Sequence, residues 1–292
     1  MIILDYSGLV FGAIHTDLKN SDDINENFIR HLILNRIRMF NKKYRDEYGE
    51  MVITLDCTHG KGNSNWRYDY FKHYKHKRKV KREESKIDWG KIFSIVGNIT
   101  QELKQYFPYR ILEVPRCEAD DIIGWLCENK DMHEPVMIVS GDKDFRQLQR
   151  YPGVKQFSPI IKKQLVEKYP LEYIKEHTIR GDKSDGVPNV LSVEDAFTID
   201  GYRQKAITKK LLADWMPKPL ALITQGDAVL AERFETNKQM IDLSLLPHKY
   251  KEKIREAAEA PIRAKANRLY SYFMKNKMKI LLDSIDDFFG VK

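Results

Sequence analysis

Three short apolar runs in the first half of this chain each lead into an aspartate, and this pattern constrains the fold more than any other feature. Residues 2–4 lead into Asp5, residues 51–55 (MVITL) into Asp56, and residues 136–139 (VMIV) into Ser-Gly-Asp142. Short apolar runs with polar boundaries are typical of buried strands. Because ligands bind outside the carboxyl ends of strands in an open parallel sheet, the three aspartates are expected to share one crevice.

Helical patterns separate these runs. Residues 24–40 carry apolar side chains at helical spacing, residues 92–107 predict a helix that Pro108 ends, and a further helix is expected from about Glu118. Residues 111–114 predict one more strand. This alternation is typical of the α/β class, with a mostly parallel central sheet flanked by helices.

The second half of the chain has a different pattern from the first, because predicted helices follow one another there without strands between them. The predicted helical stretches lie around residues 205–215, 227–244, 249–260 and 266–288. We therefore predict a catalytic α/β domain at residues 1–175 and a helical C-terminal domain at residues 176–292. The boundary is expected near residues 175–185.

Further acidic residues occur in short motifs beside the predicted strand ends. These motifs are Glu118-Ala-Asp120-Asp121, Asp142-Lys-Asp144 and Asp182-Lys-Ser-Asp185. Each motif alone is explained equally well by a helix N-terminus or a polar turn. Together they would bring up to about nine negative charges into one region, where cations must offset the repulsion. Oxygen ligands without a cysteine or histidine cluster favour Mg²⁺ or Mn²⁺ over zinc, and a pair of such ions suits phosphodiester hydrolysis.

A basic segment lies between the second and third of these strands. Residues 61–86 contain ten Lys or Arg against three acidic residues, and aromatic residues alternate with the cations. Aromatic rings can stack on bases while cations follow phosphates, so nucleic-acid contacts are predicted at Trp66, Arg67, Tyr74, Lys75, Lys77 and Arg78. The alternative is a solvated amphipathic helix whose aromatic side chains face the core.

Composition narrows the functional classes. The net charge of +8 favours an anionic partner, nucleic acid first. The three cysteines form no Cys-x-x-Cys pair and suit buried thiols in a reducing compartment. No apolar run reaches the roughly 18–20 residues of a membrane span, and the first residues lack the features of a secretory signal. We expect a cytoplasmic protein, in the host cytoplasm if a phage encodes it, and a monomer.

The order of the acidic motifs resembles that of the flap endonuclease, or 5′–3′ exonuclease, family. The pattern comprises Asp5, Asp56, Glu118-Ala-Asp120, Ser140-Gly-Asp142-Lys-Asp144 and Gly181-Asp182-Lys-Ser-Asp185. Within the family the sequence resembles the ribonuclease H branch of T-even-type phages. Local stretches that carry this similarity are RHLILNRI (30–37), WRYDYFKHYKHKR (66–78), GVKQFSP (153–159) and RLYSYF (268–273).

The resemblance implies a nuclease with two Mg²⁺ ions, for which Mn²⁺ can substitute. By motif position, Asp5, Asp56, Asp120 and Asp142 would serve the first ion. Asp144, Asp182 and Asp185 would surround the second, with Glu118 close to the first or between the two. In the family, the basic segment forms an arch over the active site, here residues 61–90, where Arg67 and Lys75 would act on the scissile phosphate.

The family also implies partners: branched or flapped DNA, RNA–DNA hybrids in lagging-strand replication, and a single-strand DNA-binding protein at the C-terminal helices. This sequence departs from the family's pattern in two places, and each departure removes one property that the family would otherwise imply. Residues 186–201 (GVPNVLSVEDAFTIDG) lack the Gly-x-Gly-x-Lys hairpin that holds potassium, which argues against a potassium site. The sequence starts directly at its first strand, which argues against contact with a sliding clamp through an N-terminal extension.

Two other functions remain open on the residues alone. One is a PIN-type ribonuclease that cuts single-stranded RNA with a similar acidic sheet edge. The other is a non-catalytic protein that binds DNA structures with a decayed site. The complete acidic set argues against decay, and the long basic segment with the helical second half favours a 5′-nuclease that cuts flaps and RNA primers.

Overall fold

A single mixed sheet of six strands organises the molecule in the computed structural model, which describes residues 1–17, 25–57, 64–76, 88–262 and 267–289. Across the sheet the strands follow the order β3-β2-β1-β4-β5-β6. Their bounds are Ile2–Asp5 (β1), Met51–Leu55 (β2), Arg110–Glu113 (β3), Val136–Val139 (β4), Val154–Ser158 (β5) and Lys163–Leu165 (β6). All neighbouring pairs are parallel except β5 and β6, which confirms the predicted mostly parallel α/β sheet.

The strand order brings the three aspartate-bearing strands side by side. β1 lies between β2 and β4, and its Leu4 is in register with Ile53 on one side and Val139 on the other. Parallel neighbours end at the same edge of the sheet, so Asp5 and the residues that follow β2 and β4 meet there. The candidate site therefore lies at this edge of the sheet.

Helices cover both faces of the sheet and make up the C-terminal half. They are α1 (Tyr6–Asp17), α2 (Glu26–Tyr48), α3 (Trp89–Tyr106), α4 (Ala119–Asn129), α5 (Pro170–Arg180), α6 (Lys209–Trp215), α7 (Leu220–Ile223), α8 (Ala228–Ile241), α9 (His248–Glu259), α10 (Asn267–Lys275) and α11 (Lys279–Leu282). Short 3₁₀ segments lie at Trp66–Asp69, Lys143–Arg150, Leu243–Leu245 and Ile285–Phe288. Among the described helices, none combines the length and the apolar character that a membrane crossing requires.

The pleat of β1 divides the apolar core into two. Ile2 and Leu4 pack in the core that α1, α2 and α3 cover, whereas Ile3 packs in the core that α4 covers. Helices of the C-terminal half complete both: Phe273 of α10 joins the first core and Tyr250 of α9 the second. Fully burying side chains of this size contributes about 1.5–3 kcal/mol each. The proposed division near residues 175–185 stays a prediction.

Several local features were not predicted from the sequence, among them β5 and a break in the last predicted helix. β5 lacks a readable apolar pattern because the fully buried Gln156 occupies an inward position, where it donates hydrogen bonds to the carbonyls of Ser140 (3.1 Å) and Asp142 (2.6 Å). The helix expected over residues 266–288 is broken between α10 and α11, where Lys277 adopts a left-handed φ of 55°. Apolar periodicity continues across this break, so the pattern alone does not reveal it.

Candidate active site

Asp5 ends β1 and is held in a fixed orientation. Its Oδ2 accepts a hydrogen bond from Ser140 Oγ at 2.7 Å, and its Oδ1 accepts one from the Gly8 amide at 2.9 Å. Burial raises the pKa of the Asp5 carboxyl to about 6, although these hydrogen bonds oppose the rise. The negative charges of Asp56 and Asp142 add to the increase, which places both carboxylates close by.

Asp56 follows β2 and connects two helix N-termini. Its Oδ2 accepts from Ser7 Oγ at 2.5 Å, at the start of α1, and its Oδ1 accepts from the Ala119 amide at 2.8 Å, at the start of α4. The amides of a first helical turn have no partner within the helix, so a carboxylate satisfies one and is favoured by the helix dipole.

Asp120 and Asp142 complete a first acidic group with Asp5 and Asp56. Asp142 caps the 3₁₀ segment Lys143–Arg150 by accepting a hydrogen bond from the Asp144 amide at 2.9 Å. Burial raises the pKa of Asp120 well above its usual value, and the charge of Asp142 is the next largest cause. The carboxylates of this group thus repel one another at the carboxyl edge of the sheet.

A second acidic group consists of Asp144, Asp182 and Asp185. Burial raises the pKa of Asp144 to about 7, and the charge of Asp142 raises it further while His177 lowers it. Asp182 behaves in the opposite way, because hydrogen bonds from His177, Lys143 and Ser184 outweigh its burial and hold its pKa well below the usual range. Asp142, which caps the 3₁₀ segment Lys143–Arg150, and Asp144, which lies in its first turn, join the two acidic groups.

Glu118 belongs to a buried network beside both groups. It accepts hydrogen bonds from Tyr74 OH at 2.8 Å and Lys75 Nζ at 2.7 Å. Burial acts to raise the pKa of Glu118, but the charges of Lys75 and Arg67 lower it to about 2. Lys75 Nζ also lies 3.9 Å from Asp185 Oδ2, so this ammonium bridges Glu118 and the second acidic group.

The arrangement suits divalent cations. Raised pKa values at Asp5, Asp120 and Asp144 indicate negative charge that the described residues leave partly uncompensated. Within the part of the chain that the structure describes, Asp144 Oδ1 and His177 Nδ1 are buried without a hydrogen-bond partner. Ligand atoms of Asp144, His177 and Asp182 lie within 4.8 Å of one another. A cation bound at this edge would relieve the repulsion and satisfy the free atoms.

Comparison with known families agrees with this geometry. The profile of the 5′–3′ exonuclease N-terminal, resolvase-like domain matches residues 1–178, which is more than half of the chain. The chain belongs to the 5′–3′ exonuclease family. A second profile, the C-terminal part of T4 RNase H, matches residues 172–288 of this nuclease. The resemblance inferred from the acidic motifs is confirmed.

Individual relatives cover the nuclease over its length. It is 31% identical to the ribonuclease H of Enterobacteria phage T4 over 98% of this chain and 95% of that protein. It is 24% identical to DNA polymerase I of Bacillus caldotenax over 228 residues, but spans only 24% of the polymerase. The structures of the phage T5 D15 protein co-crystallised with metal ions and of the T5 D15 flap endonuclease in a pseudo-enzyme–product complex with DNA and metal ions superpose with TM-scores of 0.60 and 0.56, at 17% and 18% identity. Each covers 96% of this chain and 98% of the T5 chain, which supports the fold.

The predicted nucleic-acid contacts of the nuclease have different surroundings. Trp66, Arg67 and Tyr74 are 1%, 3% and 2% exposed, so they are buried in this structure, and the nucleic-acid contacts predicted for them stay a prediction. Stacking of bases on Trp66 does not fit this burial, because its ring packs inside and its Nε1 donates to Asp121 at 3.1 Å. The exposed aromatic residues nearby are Tyr68 and Tyr70.

The remaining part of the basic segment is described only in part. Lys75 is partly buried at the edge of the site, and its role stays a prediction. Lys77 and Arg78 lie outside the described residues, as do residues 61–63 and 77–87 of the predicted arch. Asp121, which adjoins the acidic motif, forms a buried ion pair with Arg67 Nη2 at 2.9 Å and accepts from the Glu118 amide at 2.9 Å. It therefore organises the start of α4.

Several residues of the nuclease that hold the carboxylates were missed from the sequence. They are Ser7, Ser140, His177 and Ser184. Gln156 was missed as well, and it donates to the backbone carbonyl of Asp142 instead of its carboxylate. The serines adjoin the acidic motifs, and that adjacency was the only available signal. His177 lies five residues before Asp182 near the end of α5, where a lone histidine reads as an ordinary core residue.

Replacing Gly8 with alanine is expected to reduce cleavage about 10²-fold, since a small misplacement of a reacting group can cost that much. A Cβ at Gly8 would lie 2.3 Å from Asp5 Oδ2, so the Asp5 carboxylate would have to move. The matched control is Gly12→Ala in the same helix, where a Cβ meets only the Ile160 side chain at 3.5 Å. Steady-state rates with helical content by circular dichroism would check this, and equal rates for the two variants would contradict it.

Proposed function

We propose that this family member is a two-metal 5′-nuclease that hydrolyses phosphodiesters near the 5′ ends of flaps and RNA primers during lagging-strand replication. The observation that carries the proposal is the pair of acidic groups joined through Asp142 and Asp144 at one sheet edge. Mg²⁺ is the proposed ion, with Mn²⁺ as a substitute, because both take oxygen ligands and bind with substrate phosphate.

Different residues of the chain would bind the two ions and orient their ligands. The first acidic group would hold one ion and the second acidic group the other, with Glu118 beside them. When bound, such ions lower the pKa of an attacking water and stabilise the leaving oxygen. Ser7, Ser140 and the Gly8 amide keep the first group oriented through hydrogen bonds of 2.5–2.9 Å. Orientation of this kind must exist before substrate arrives if it is to accelerate the reaction.

Among the described residues of the basic segment, Lys75 is a cation placed to meet the scissile phosphate. Its ammonium lies 2.7 Å from Glu118 Oε1 and is 15% exposed at the edge of the site. A phosphate that enters beside it would gain a positive charge where negative charge develops in the transition state. Lys75 also adopts a left-handed φ of 53°, and its amide donates to the Asp185 carbonyl at 2.7 Å, which ties the segment to the second acidic group.

The proposed substrates are flapped or branched DNA and RNA–DNA hybrids. The basic character of residues 61–86 supports a polyanion, and the T5 relative was solved with DNA. We further propose that the protein acts as a monomer in the cytoplasm and meets a single-strand DNA-binding protein through its C-terminal helices. These partners would belong to the same replication step.

Cleavage of a labelled 5′-flap duplex is expected to require a divalent ion and to stop in EDTA, because the ligand set consists mainly of carboxylates. The assay compares dialysed protein with Mg²⁺, with Mn²⁺ and with EDTA. A single-stranded RNA of matched length tests the PIN-type alternative. Full activity in EDTA would refute the metal mechanism, and preferential cutting of the single-stranded RNA would refute the proposed substrate class.

A further inference from the structure

His177 lies between two carboxylates of the second acidic group and uses its two ring nitrogens differently. Nε2 is 3.1 Å from Asp182 Oδ2, within hydrogen-bond distance. Nδ1 is 3.6 Å from Asp144 Oδ1, beyond a hydrogen bond. The ring is 8% exposed, and in the described part of the chain both Nδ1 and Asp144 Oδ1 are buried without a hydrogen-bond partner. Two free ligand atoms therefore face each other across a short gap.

The width of that gap matches a pair of ligands on one ion. Metal–nitrogen and metal–oxygen bonds are about 2.0–2.2 Å, so two ligands 3.6 Å apart subtend an angle of about 120° at a shared ion. Such an angle is close to tetrahedral, and an octahedral ion would draw the two atoms together by about half an ångström. Buried polar atoms normally have partners, so an ion here would also explain why these two have none.

Asp182 is already saturated by the protein. Its Oδ1 accepts hydrogen bonds from the Ser184 amide at 2.7 Å and from Ser184 Oγ at 2.5 Å. Its Oδ2 accepts from Lys143 Nζ at 2.7 Å and from His177 Nε2. A metal-binding histidine usually donates its second N–H to a carboxylate, which fixes the tautomer and the ring orientation. Asp182 stands in that relation to His177.

We propose that His177 Nδ1 is a nitrogen ligand at the second metal position, with Asp144 Oδ1 beside it and Asp182 orienting the ring from behind. This refines the proposed function, on which it rests, since Asp182 would act through His177. An imidazole ligand suits transition ions such as Fe²⁺ and Zn²⁺ better than Mg²⁺, which prefers oxygen, and Mn²⁺ provides a paramagnetic probe from the transition series. The second position therefore favours transition ions over Mg²⁺, whereas the first acidic group offers oxygen ligands alone.

The test is pulsed electron paramagnetic resonance of the untagged full chain loaded with Mn²⁺ in the absence of nucleic acid. A ¹⁴N coupling from a directly bound imidazole is expected in the wild type and in Asp142→Asn, because this substitution leaves both His177 and Asp144 in the chain. His177→Gln should lose it, because the glutamine amide can still donate to Asp182 but has no atom in the place of Nδ1. His248→Gln is the matched control, since the His248 side chain is 86% exposed.

Binding titrations give a second readout. His177→Gln is expected to lower the Mn²⁺ affinity of one site about 10-fold or more, the scale of losses at metal centres, and to leave Mg²⁺ affinity nearly unchanged. Absence of ¹⁴N coupling in Mn²⁺-loaded wild type, or its persistence in His177→Gln, would overturn the ligand assignment. Equal losses of affinity for Mn²⁺ and Mg²⁺ would overturn the proposed preference of the second position for transition ions. If His177→Gln misfolds, an absence of ¹⁴N coupling in the wild-type spectrum would still overturn the ligand assignment.

Flap cleavage by the same wild-type preparation separates this inference from the proposed function. A protein that cuts flaps with Mg²⁺ but shows no nitrogen coupling would refute only the role of His177. A protein that shows the coupling but cuts no flap would refute the proposed substrate and leave the ligand assignment standing.

Discussion

Replacing Asp142 with asparagine is expected to abolish phosphodiester cleavage while the fold stays intact. Outer partners of metal ligands already cost about 10–100-fold when removed, so loss of a proposed ligand should exceed about 10² in rate. Asparagine caps helices as well as aspartate does, so the hydrogen bond from the Asp144 amide can persist. Removing this charge also lowers the repulsion on Asp5 and Asp120, and substrate binding should be equal or tighter.

Single-turnover cleavage and flap binding without metal would measure the two effects separately. Asp131→Asn is the matched control, because it makes the same charge change on an exposed residue after α4, at the opposite end of that helix from the site. Near-normal turnover in Asp142→Asn would show that the first acidic group does not hold the catalytic ion.

Replacing Arg67 with alanine is expected to destabilise the fold by about 3–5 kcal/mol, the cost of breaking a buried ion pair by removing one partner. Arg67 is 3% exposed and pairs with Asp121 at 2.9 Å and with Glu118 at 3.5 Å. The variant would leave the Asp121 carboxylate buried without its cation. Any loss of cleavage at elevated temperature would then follow from unfolding, in contrast to Lys75→Ala, which should lower the rate in a folded protein.

Urea denaturation followed by fluorescence and circular dichroism would measure the change. Arg67→Met combined with Asp121→Asn should recover part of the loss, because both charges disappear together. Arg180→Ala, which removes an exposed pair with Glu176, should change stability by less than about 1 kcal/mol. If Arg67→Ala kept the wild-type urea midpoint but lost cleavage, this result would support a direct contact of Arg67 with the scissile phosphate.

The acidic edge was predictable because its determinants are local. Asp5, Asp56 and Asp142 each follow a run of apolar residues, and parallel pairing then fixes where they meet. The fold class followed from the same alternation of strands and helices. Neither inference needed to know which side chains contact one another across the sheet.

The surroundings of those carboxylates were not predictable in the same way. The orientation of Trp66 and Tyr74 depends on Asp121 and Glu118, which lie more than forty residues away in sequence. The sequence does not reveal β5, because the buried amide of Gln156 interrupts the apolar pattern of this strand. His177 has no motif of its own, and its position is set only when α5 packs beside the 3₁₀ segment Lys143–Arg150. Long-range packing decides each of these cases.

The packing of residues 267–289 against the first core has a consequence for biosynthesis. Phe288 contacts Phe107, with ring centroids 5.8 Å apart, and its carbonyl accepts a hydrogen bond from Tyr109 OH at 3.0 Å. Chains emerge from the ribosome N-terminal end first, at about 5–20 residues per second. The core that supports β1 is therefore completed only after the last helices have been translated, so a nascent or prematurely terminated chain lacks the packing that holds Asp5 in place. Nuclease activity is thereby coupled to synthesis of the chain at least as far as Phe288.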